Sequence, residues 1–403
     1  MKYLLLFILS ISFFSCSKKD IQTLQKGTYR AELLVQDNQV LPFIFKVKNE
    51  KSLQIYNAEE VIDVHEITYK NDSVFIQTPV FEGYIVAKIE HGVLNGSFIK
   101  ESLGRIVSFR AAINSERFTV KREEKPLKVN GIWETIFSQD SLEARYIAKG
   151  IFKQTGNKVT GTFRTTTGDY RYLEGIVDKD SLKLSTFDGA HAFLFTAKLT
   201  DSTMTGIFYS GNHWKEPFIA NRNSNYELPS ANELTFIKEG HKKFNFSFQN
   251  EKGEFISLDD KQFKDKVIIV QIMGTWCPNC LDESRYYKEF LSNNSIDDVA
   301  FVALAFEDAK TKELAFKRIN RWREKSKVPY PVLLAQYGTS DKKLAQEKLP
   351  MLNHIISYPT SIYIDKKRNI RRIHTGFNGP ATGQKYIDFK KEFVRFLDTL
   401  ITE

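Results

Sequence analysis

The chain has 403 residues, of which 42% are hydrophobic and 27% are charged, and this length suits two or three folded domains. The composition excludes a disordered chain, a collagen-like chain and a small disulfide-bonded scaffold. The formal charge of +9 comes from basic residues scattered along the whole sequence rather than pooled in one block. Because no basic stripe falls on a recognisable nucleic-acid-binding module, we predict no nucleic-acid partner.

The first residues have the pattern of a secretory signal. Lys2 supplies a short positive region, and the residues at 3–14 are mostly apolar. An apolar segment of this length directs export but is too short to cross a bilayer as a helix. We therefore predict a signal peptide over residues 1–15 and a working compartment outside the cytoplasm, where dithiols tend to become oxidised.

Cys16 lies directly after this segment, between Ser15 and Ser17. The tripeptide resembles the lipobox of bacterial lipoproteins, in which the cysteine thiol is acylated and becomes the first residue of the mature chain. This resemblance implies a lipid anchor on Cys16 and a polar tether over residues 16–25. Cleavage after Ser12 by an ordinary signal peptidase is the alternative, and a chance apolar N-terminus is a further one.

Residues 26–222 have the pattern of an antiparallel all-β region. Short runs of alternating apolar and polar residues, such as 43–47 and 159–163, are separated by turn signals such as the Gly-Asn pair at 156–157. Many short strands with frequent turns favour a sandwich or a barrel-like fold. The region has no cysteine and no catalytic motif, so the sequence leaves open whether it binds a ligand or serves as a structural stalk.

Short motifs recur within this all-β region, 104 to 110 residues apart. We therefore predict a tandem repeat, with one copy at 26–125 and the second at 126–222. The matching motifs are Gly27-Thr28-Tyr29 with Gly131-Ile132-Trp133, Asp72-Ser73 with Asp180-Ser181, and residues 95–98 with residues 205–208.

A polar, turn-rich linker at 223–234 separates this region from residues 235–403. From there apolar strands alternate with amphipathic helices, which is the pattern of an α/β domain whose sheet contains parallel strands. We predict buried strands at 267–273 and 299–305. The other predicted elements are an amphipathic helix at 310–326, a strand pair at 361–364 and 370–374, and a C-terminal helix with Tyr386, Phe389, Phe393, Phe396, Leu397 and Leu400 on its inner face.

Cys277 and Cys280 follow the first of these strands as Cys-Pro-Asn-Cys and open the next predicted helix. Unpaired N–H groups and the dipole at a helix N-terminus favour an anion, so we expect this position to stabilise the thiolate of Cys277. Two intervening residues place Cys280 one helical turn further along, within bonding distance. Pro278 suits the first helical turn, where no N–H group is needed.

This arrangement predicts thiol-disulfide exchange. The Cys277 thiolate attacks a substrate disulfide, and Cys280 then attacks the mixed disulfide, which releases the reduced substrate and closes the Cys277–Cys280 disulfide. The chemistry needs no cofactor beyond this redox-active disulfide. A zinc site would need two further ligands, for which the sequence has no pairing pattern, so we also predict no metal.

The Gly-Thr-Trp-Cys-Pro-Asn-Cys segment at 274–280, directly after the strand at 267–273, resembles the thioredoxin fold. Over residues 240–400 the chain most resembles the exported TlpA/ResA-like thiol-disulfide oxidoreductases, and the lipobox suits that branch. The resemblance implies protein dithiol or disulfide substrates and a membrane protein that donates electrons. It also implies a lipoprotein of the cell envelope, anchored in the inner or outer membrane and facing the periplasm, with the cell surface as an alternative.

The resemblance further implies a cis-proline opposite the dithiol, and Pro359 is in the matching place before the strand at 361–364. A cis peptide bond there would expose the backbone of Tyr358 for pairing with an extended substrate. A trans proline at the start of a strand is the alternative. The substrate-binding residues implied on these grounds are Trp276, Pro278, Tyr358, Pro359 and Thr360.

One departure from cytoplasmic thioredoxin concerns the buried acid. Thioredoxin has an aspartate six residues before its first cysteine, whereas this chain has Gln271 there. ResA-like members instead use a glutamate three residues after the second cysteine, which is the position of Glu283. The resemblance implies that Glu283, with a pKa raised by burial, takes the proton from Cys280. An ordinary first-turn acid is the alternative, and this is how we interpret Asp282.

The predicted function is therefore a membrane-anchored, extracytoplasmic thiol-disulfide oxidoreductase that reduces protein disulfides. Three other interpretations stay open. The cysteines would form a purely structural disulfide, or the chain would be a ligand- or protein-binding lipoprotein whose thioredoxin-like domain is not its main activity. The third is an oxidising enzyme, because proline between the cysteines also occurs in oxidising relatives. Peroxiredoxins share the fold, but their Pro-x-x-x-Thr-x-x-Cys motif is absent.

Overall fold

The computed structural model describes residues 22–121, 124–241, 243–294 and 297–403. The predicted signal peptide and the predicted lipidation site, Cys16, lie outside the described residues, as does the first part of the predicted tether. The described residues form two antiparallel sheets followed by a mixed α/β domain. The predicted fold class is thereby confirmed.

The first sheet has nine antiparallel strands in the order β4-β3-β2-β1-β9-β8-β7-β6-β5. Buried and partly buried residues alternate along most of these strands, because successive side chains point to opposite faces of a sheet. The strands are β1 (Gly27–Leu34), β2 (Val40–Asn49), β3 (Ser52–Asn57), β4 (Glu60–Val64), β5 (Glu66–Lys70), β6 (Ser73–Gln77), β7 (Tyr84–Glu90), β8 (Val93–Lys100) and β9 (Arg105–Ile113).

The second sheet also has nine strands, in the order β11-β10-β18-β17-β16-β15-β14-β12-β13, and a β11–β12 pairing closes it on itself. Its first strand pairs with its second and its last, as in the first sheet, and both first strands begin with the Gly-x-aromatic motif. The strands are β10 (Gly131–Phe137), β11 (Tyr146–Thr155), β12 (Lys158–Thr165), β13 (Gly168–Asp169), β14 (Leu173–Asp178), β15 (Ser181–Phe187), β16 (Ala192–Leu199), β17 (Thr203–Ser210) and β18 (Trp214–Arg222).

The α/β domain is built on a seven-stranded sheet of order β20-β19-β23-β22-β21-β24-β25, in which β21, β22 and β23 are parallel. None of the helices in the described residues has the length and apolar character that crossing a membrane requires. The strands are β19 (Ser247–Gln249), β20 (Phe255–Ser257), β21 (Val267–Met273), β22 (Val299–Phe306), β23 (Val332–Gln336), β24 (Thr360–Ile364) and β25 (Ile370–Thr375). The helices are α1 (Pro278–Asn293), α2 (Lys312–Ser326), α3 (Lys342–Lys348) and α4 (Gln384–Thr402).

The sequence patterns predicted most of the α/β elements but missed β23 and α3. The apolar run of β23 is only five residues long, and such a run does not distinguish a buried strand from a helix segment. Helix α3 has only seven residues and one buried side chain, Ala345, so its apolar periodicity is weak. Its start is instead marked by Asp341, whose carboxylate accepts hydrogen bonds from two backbone N–H groups of the helix.

The two β sheets share a hydrophobic core. Phe187, at the end of β15, is fully buried among residues of the first sheet. Its ring stacks on Phe43 with centroids 4.3 Å apart and meets Phe98 edge-on at 5.0 Å. In addition, the Asn57 side-chain amide donates a hydrogen bond to the carbonyl oxygen of Phe187 at 2.9 Å. The sheets are therefore packed as one body rather than joined only by the chain.

The first sheet also contacts the α/β domain directly. Val80 and Phe81, in the loop after β6, belong to the same hydrophobic core as β21 and β22. Arg321 of α2 forms an ion pair with Glu66 at 3.0 Å and donates a hydrogen bond to the carbonyl oxygen of Thr78 at 2.8 Å. These contacts hold the β region against the domain that carries the two cysteines.

We predict that Phe187→Ala destabilises both β sheets together, by about 3–5 kcal/mol, because it removes a fully buried ring that the sheets share. The measurement is denaturant unfolding followed by circular dichroism. Phe255→Ala is the matched control, since Phe255 is 66% exposed. An equal unfolding midpoint for the two variants would show that the ring of Phe187 is not part of a shared core.

Candidate functional site

Cys277 is held at the N-terminus of α1 by the turn that follows β21. Its backbone N–H donates to the Gly274 carbonyl oxygen at 3.1 Å, and Cys277 is the N-cap residue of the helix. Its sulfur accepts a hydrogen bond from the backbone N–H of Cys280 at 3.2 Å. Unpaired N–H groups and the helix dipole favour negative charge at this position, so the local geometry suits a thiolate.

The two cysteines differ in their access to solvent. Both are thiols, and Cys277 is 6% exposed whereas Cys280 is fully buried. Burial, together with a hydrogen bond to the Cys277 sulfur, raises the pKa of the Cys280 thiol well above its usual value. A reagent from solution therefore reaches Cys277 first, and Cys280 keeps its proton until a base removes it.

The loop before β24 lies against the Cys277 sulfur. The Tyr358–Pro359 peptide bond is cis, the isomer that the sequence resemblance implied. The Cys277 thiol donates a hydrogen bond to the carbonyl oxygen of Tyr358 at 3.3 Å. The ring of Trp276 meets the Tyr358 ring edge-on at 5.4 Å, and its indole N–H donates to the Phe306 carbonyl oxygen at 3.0 Å.

Not all of the residues named from the sequence reach the space in front of the sulfur. Trp276, Pro278 and Tyr358 line a cleft beside Cys277. Pro359 and Thr360 are buried and are not among its lining residues. The Thr360 hydroxyl donates to the Ser357 carbonyl oxygen at 2.9 Å, so it is engaged within its own loop.

Glu283 is fully buried on α1 and accepts three side-chain hydrogen bonds. One carboxylate oxygen accepts from the Gln271 amide at 2.7 Å. The other accepts from the hydroxyls of Tyr287 at 3.0 Å and Ser361 at 2.9 Å. Burial raises the pKa of Glu283 to about 7, although all three hydrogen bonds act to lower it. The Gln271 amide nitrogen also lies 3.4 Å from the Cys280 carbonyl oxygen, so Gln271 connects the acid to the active-site turn.

A second buried acid, Glu307, was not identified from the sequence. It follows β22, and its carboxylate accepts hydrogen bonds from the backbone N–H of Thr275 at 2.8 Å and from the Thr275 hydroxyl at 2.6 Å. Burial raises the pKa of Glu307 to about 7. Glu307 therefore fixes the turn that precedes Cys277. In the sequence it is followed by Asp308, and nothing in the pattern distinguishes the two acids.

The second β sheet reaches the site through the residues at 166–169, which form the turn after β12 together with the two-residue strand β13. Asn279 lies between the two cysteines in the sequence. Its side-chain amide donates a hydrogen bond to the carbonyl oxygen of Asp169 at 3.2 Å. The carbonyl oxygen of Thr167 accepts one from the Ser357 hydroxyl at 2.7 Å, in the loop before the cis-proline. The turn therefore contacts the dithiol segment and the proline loop together. No pattern in the sequence indicated this contact.

Arg171, next to that turn, is buried among three carboxylates from different parts of the chain. Its guanidinium contacts Asp282, the fifth residue of α1, and Glu60 in β4, and its Nε lies 3.5 Å from Asp188. The interpretation of Asp282 as an ordinary first-turn acid is wrong, because this carboxylate is buried and paired with Arg171. Removing one member of such a buried group leaves the others uncompensated.

A cleft of about 510 Å³ lies between the second β sheet and the active-site segment. One side consists of Tyr146, the residues at 165–170 and the rings of His191 and Phe193. The other side carries the residues at 276–279, with Cys277 among them. The remaining lining residues are Lys342, Ser357 and Tyr358. The sulfur of Cys277, at a helix N-terminus, is therefore accessible to a molecule that enters this cleft.

Comparison with known proteins points to the same domain. Residues 240–373 match the model of the AhpC/TSA family. A stretch of 151 residues is 28% identical to the thioredoxin-like protein YneN of Bacillus subtilis (strain 168), and it covers 38% of this chain and 79% of that protein. The family match and this relative agree with the fold that the sequence resemblance implied for the C-terminal domain.

Two similar solved structures are a thiol:disulfide interchange protein of the thioredoxin family from Chlorobium tepidum TLS and StoA from Bacillus subtilis. The first is 19% identical with a TM-score of 0.30, and the match covers 41% of this chain and 98% of that chain. The second is 22% identical with a TM-score of 0.26, and the match covers 36% of this chain and 94% of that chain.

We predict that Glu283→Gln removes a pH-dependent loss of stability. The folded-state pKa of about 7 lies above the ordinary value of 4.5, so the wild type loses stability as the pH rises from about 4.5 through about 7. Relative to the variant, this loss is of the order of 3 kcal/mol, since one pKa unit corresponds to 1.36 kcal/mol.

The measurement is the free energy of unfolding of wild type and variant between pH 4.5 and 8. Glu289→Gln is the matched control, because Glu289 is an exposed glutamate on the same helix. A wild-type-minus-variant difference that does not change with pH would contradict the raised pKa of Glu283.

Proposed function

We propose that this chain, whose C-terminal domain is thioredoxin-like and follows an all-β region, is an extracytoplasmic thiol-disulfide oxidoreductase that reduces protein disulfides. The observation that carries the proposal is the asymmetry of the two cysteines. Cys277 lines the cleft at a helix N-terminus, whereas Cys280 is buried one turn further along the same helix. One thiol is therefore placed to react with a substrate and the other to react with the first.

The proposed cycle moves two electrons to the substrate. The Cys277 thiolate attacks one sulfur of a substrate disulfide, so that a Cys277–substrate disulfide forms and the other substrate sulfur leaves as a thiolate. Cys280 then loses its proton and attacks the Cys277 sulfur. This step forms the Cys277–Cys280 disulfide and releases the second substrate sulfur as a thiolate, which takes up a proton. A dithiol protein in the membrane must reduce the enzyme again.

We assign to Glu283 the role of accepting the proton of the Cys280 thiol. The Cys280 thiol has a raised pKa, so its attack on the mixed disulfide requires a proton acceptor. Glu283 titrates near pH 7 and is linked through Gln271 to the turn that carries Cys280. A carboxylate with a pKa near the working pH accepts a proton and returns it at little cost, which suits this role.

The compartment follows from the N-terminal segment. The predicted signal at 1–15 and the predicted acylation of Cys16 support a lipoprotein of the cell envelope that faces the periplasm. A dithiol in such a compartment needs a supply of electrons, because its surroundings tend to oxidise it. The proposed partners are accordingly protein disulfides, a membrane electron donor and the lipid leaflet that holds the anchor.

We predict that the two cysteine variants fail at different steps. The probe is a peptide with one cysteine held as a mixed disulfide with glutathione. Cys277→Ser lowers the rate of its reduction by at least about 100-fold, because the nucleophile is lost. Cys280→Ser still attacks the probe but cannot resolve the product, so it accumulates an adduct on Cys277.

Mass spectrometry of the quenched reaction measures the adduct, and the release of glutathione measures the rate. Cys277→Ser is the control for adduct formation, since it retains Cys280. If Cys277→Ser reduced the probe as fast as the wild type, the thiol chemistry assigned to this dithiol would be wrong.

We predict that the dithiol is a reductant. Its equilibrium potential against glutathione is expected near roughly −270 mV, the value typical of thioredoxin-type reductants, rather than near roughly −120 mV, the value of a strong oxidant. The measurement is the fraction of oxidised protein at defined ratios of glutathione to glutathione disulfide. A potential near roughly −120 mV would show that the dithiol is an oxidant, which would reverse the proposed direction of electron flow.

A further inference from the structure

We propose that the second β sheet forms one wall of the substrate site, and that the substrate which enters is an extended, cysteine-bearing segment of polypeptide rather than the surface of a folded protein. The inference rests on the proposed function, because it concerns what approaches Cys277. It assigns a role to the β region, which the thiol chemistry alone leaves without one.

The first step is that the wall is in direct contact with the reacting segment. The turn after β12, taken together with β13, accepts a hydrogen bond from Asn279 on one side and from Ser357 on the other. Its Asp169 carboxylate also accepts a hydrogen bond from the backbone N–H of Gly379 at 2.6 Å. The turn therefore touches three separate segments of the C-terminal domain around the dithiol.

The second step is that the fit leaves no spare room where the turn meets these segments. Gly168 has a φ of +148°, and a Cβ atom added there would lie 2.0 Å from the Asn279 amide nitrogen. A Cβ atom added to Gly376 would lie 2.7 Å from the backbone carbonyl carbon of Thr167. The positive φ at Gly168 and the backbone approach at Gly376 both favour glycine, so the position of the wall is built into the packing of both partners.

The third step is that charge holds the wall in place. Arg171 and Asp282 are both buried, and they join the second sheet to the N-terminal part of α1. Arg171 also contacts Glu60, so the first sheet is tied to the same point. Separating these groups would leave buried charges without their partners, which carries a large free-energy cost. The wall therefore stays next to Cys277 while the substrate binds.

The space that remains suits one extended chain. The cleft of about 510 Å³ is within the range of roughly 300–1,000 Å³ found for sites that enclose a small ligand. A space of this volume holds a short segment of polypeptide but not a folded domain. Cys277 is 6% exposed, so a disulfide held on a rigid protein surface would have to enter the cleft to reach its sulfur.

The lining also indicates what lies beside the substrate cysteine. The rings of Tyr146, His191 and Phe193 from the second sheet face the same cleft as Trp276 and Tyr358 from the C-terminal domain. Aromatic rings bind apolar and aromatic side chains through large contact areas, and they tolerate many side-chain shapes. We therefore expect the preferred segment to carry apolar or aromatic residues next to its cysteine.

The test compares three disulfides that share one leaving group. They are glutathione disulfide, a linear peptide whose cysteine forms a mixed disulfide with glutathione, and the same mixed disulfide on a surface cysteine of a folded protein. The wild-type dithiol is expected to reduce the linear peptide at least about tenfold faster than either of the others, because only the peptide fills the cleft.

Two variants then test the wall itself. Thr166 lines the cleft, whereas Thr160 is a partly exposed residue on the same strand region that does not line it. Thr166→Trp is expected to lower kcat/KM for the peptide by at least about tenfold by narrowing the cleft, and Thr160→Trp to leave it within about twofold. The equilibrium potential of the dithiol should be unchanged in both variants, since neither residue contacts the sulfurs.

The outcomes are distinguishable. No reduction of any of the three disulfides by the wild type would contradict the proposed function, and the inference with it. Equal rates for the linear and the folded substrate would contradict the inference alone, and would show that the wall moves away. Glutathione disulfide reacting as fast as the peptide would show that the cleft recognises no polypeptide. The wild-type comparison decides these cases even if Thr166→Trp does not fold.

Discussion

The structure depends most on the contact between the N-terminus of α1 and the sulfur of Cys277. The Cys280 N–H group that binds this sulfur is one that the helix leaves unpaired in its first turn. For the contact to form, the chain must leave β21, turn within three residues and begin a helix at a fixed point. Glu307 holds this turn through Thr275, and burial of β21 on both faces fixes where the turn begins. The geometry of one sulfur is thus maintained by a strand, a buried acid and a helix.

The polar groups around the dithiol are tolerated inside the domain because they bind one another. Glu283 is fully buried yet accepts three hydrogen bonds, and Gln271 uses both ends of its amide, since its oxygen accepts from the Ser284 hydroxyl at 2.9 Å. A buried polar network of this kind is stable only when nearly all of its members are satisfied. The carboxyl group of Glu283 and the thiol of Cys280 lie in the same low-dielectric interior. Ionising one of them therefore alters the free energy of ionising the other.

Much of the C-terminal domain could be predicted from the sequence, and the reason is local. The Cys-Pro-Asn-Cys segment, the apolar strand before it and the acid at Glu283 lie within one short stretch, where spacing and periodicity carry the information. The turn at Thr167 and the pairing of Arg171 with Asp282 could not be predicted. These contacts join residues more than a hundred positions apart, and neither partner has an unusual local pattern. Asp282 illustrates the difficulty, because a first-turn acid is ordinary unless its distant partner is known.

The wall and the nucleophile are positioned by the same turn of α1, and this has a consequence for catalysis. Asn279 and Asp282 hold the second β sheet, while Cys277 and Cys280 carry the chemistry, and all four residues lie at the start of one helix. A displacement of that turn would move the wall and the Cys277 sulfur together, so the distance between them would stay the same. Thiol-disulfide exchange needs the attacking sulfur to be aligned with the bond it breaks, and a fixed separation restricts the directions from which a disulfide approaches. A free thioredoxin-like domain would lack this restriction, so the wall that we propose would select among substrates without taking part in the exchange.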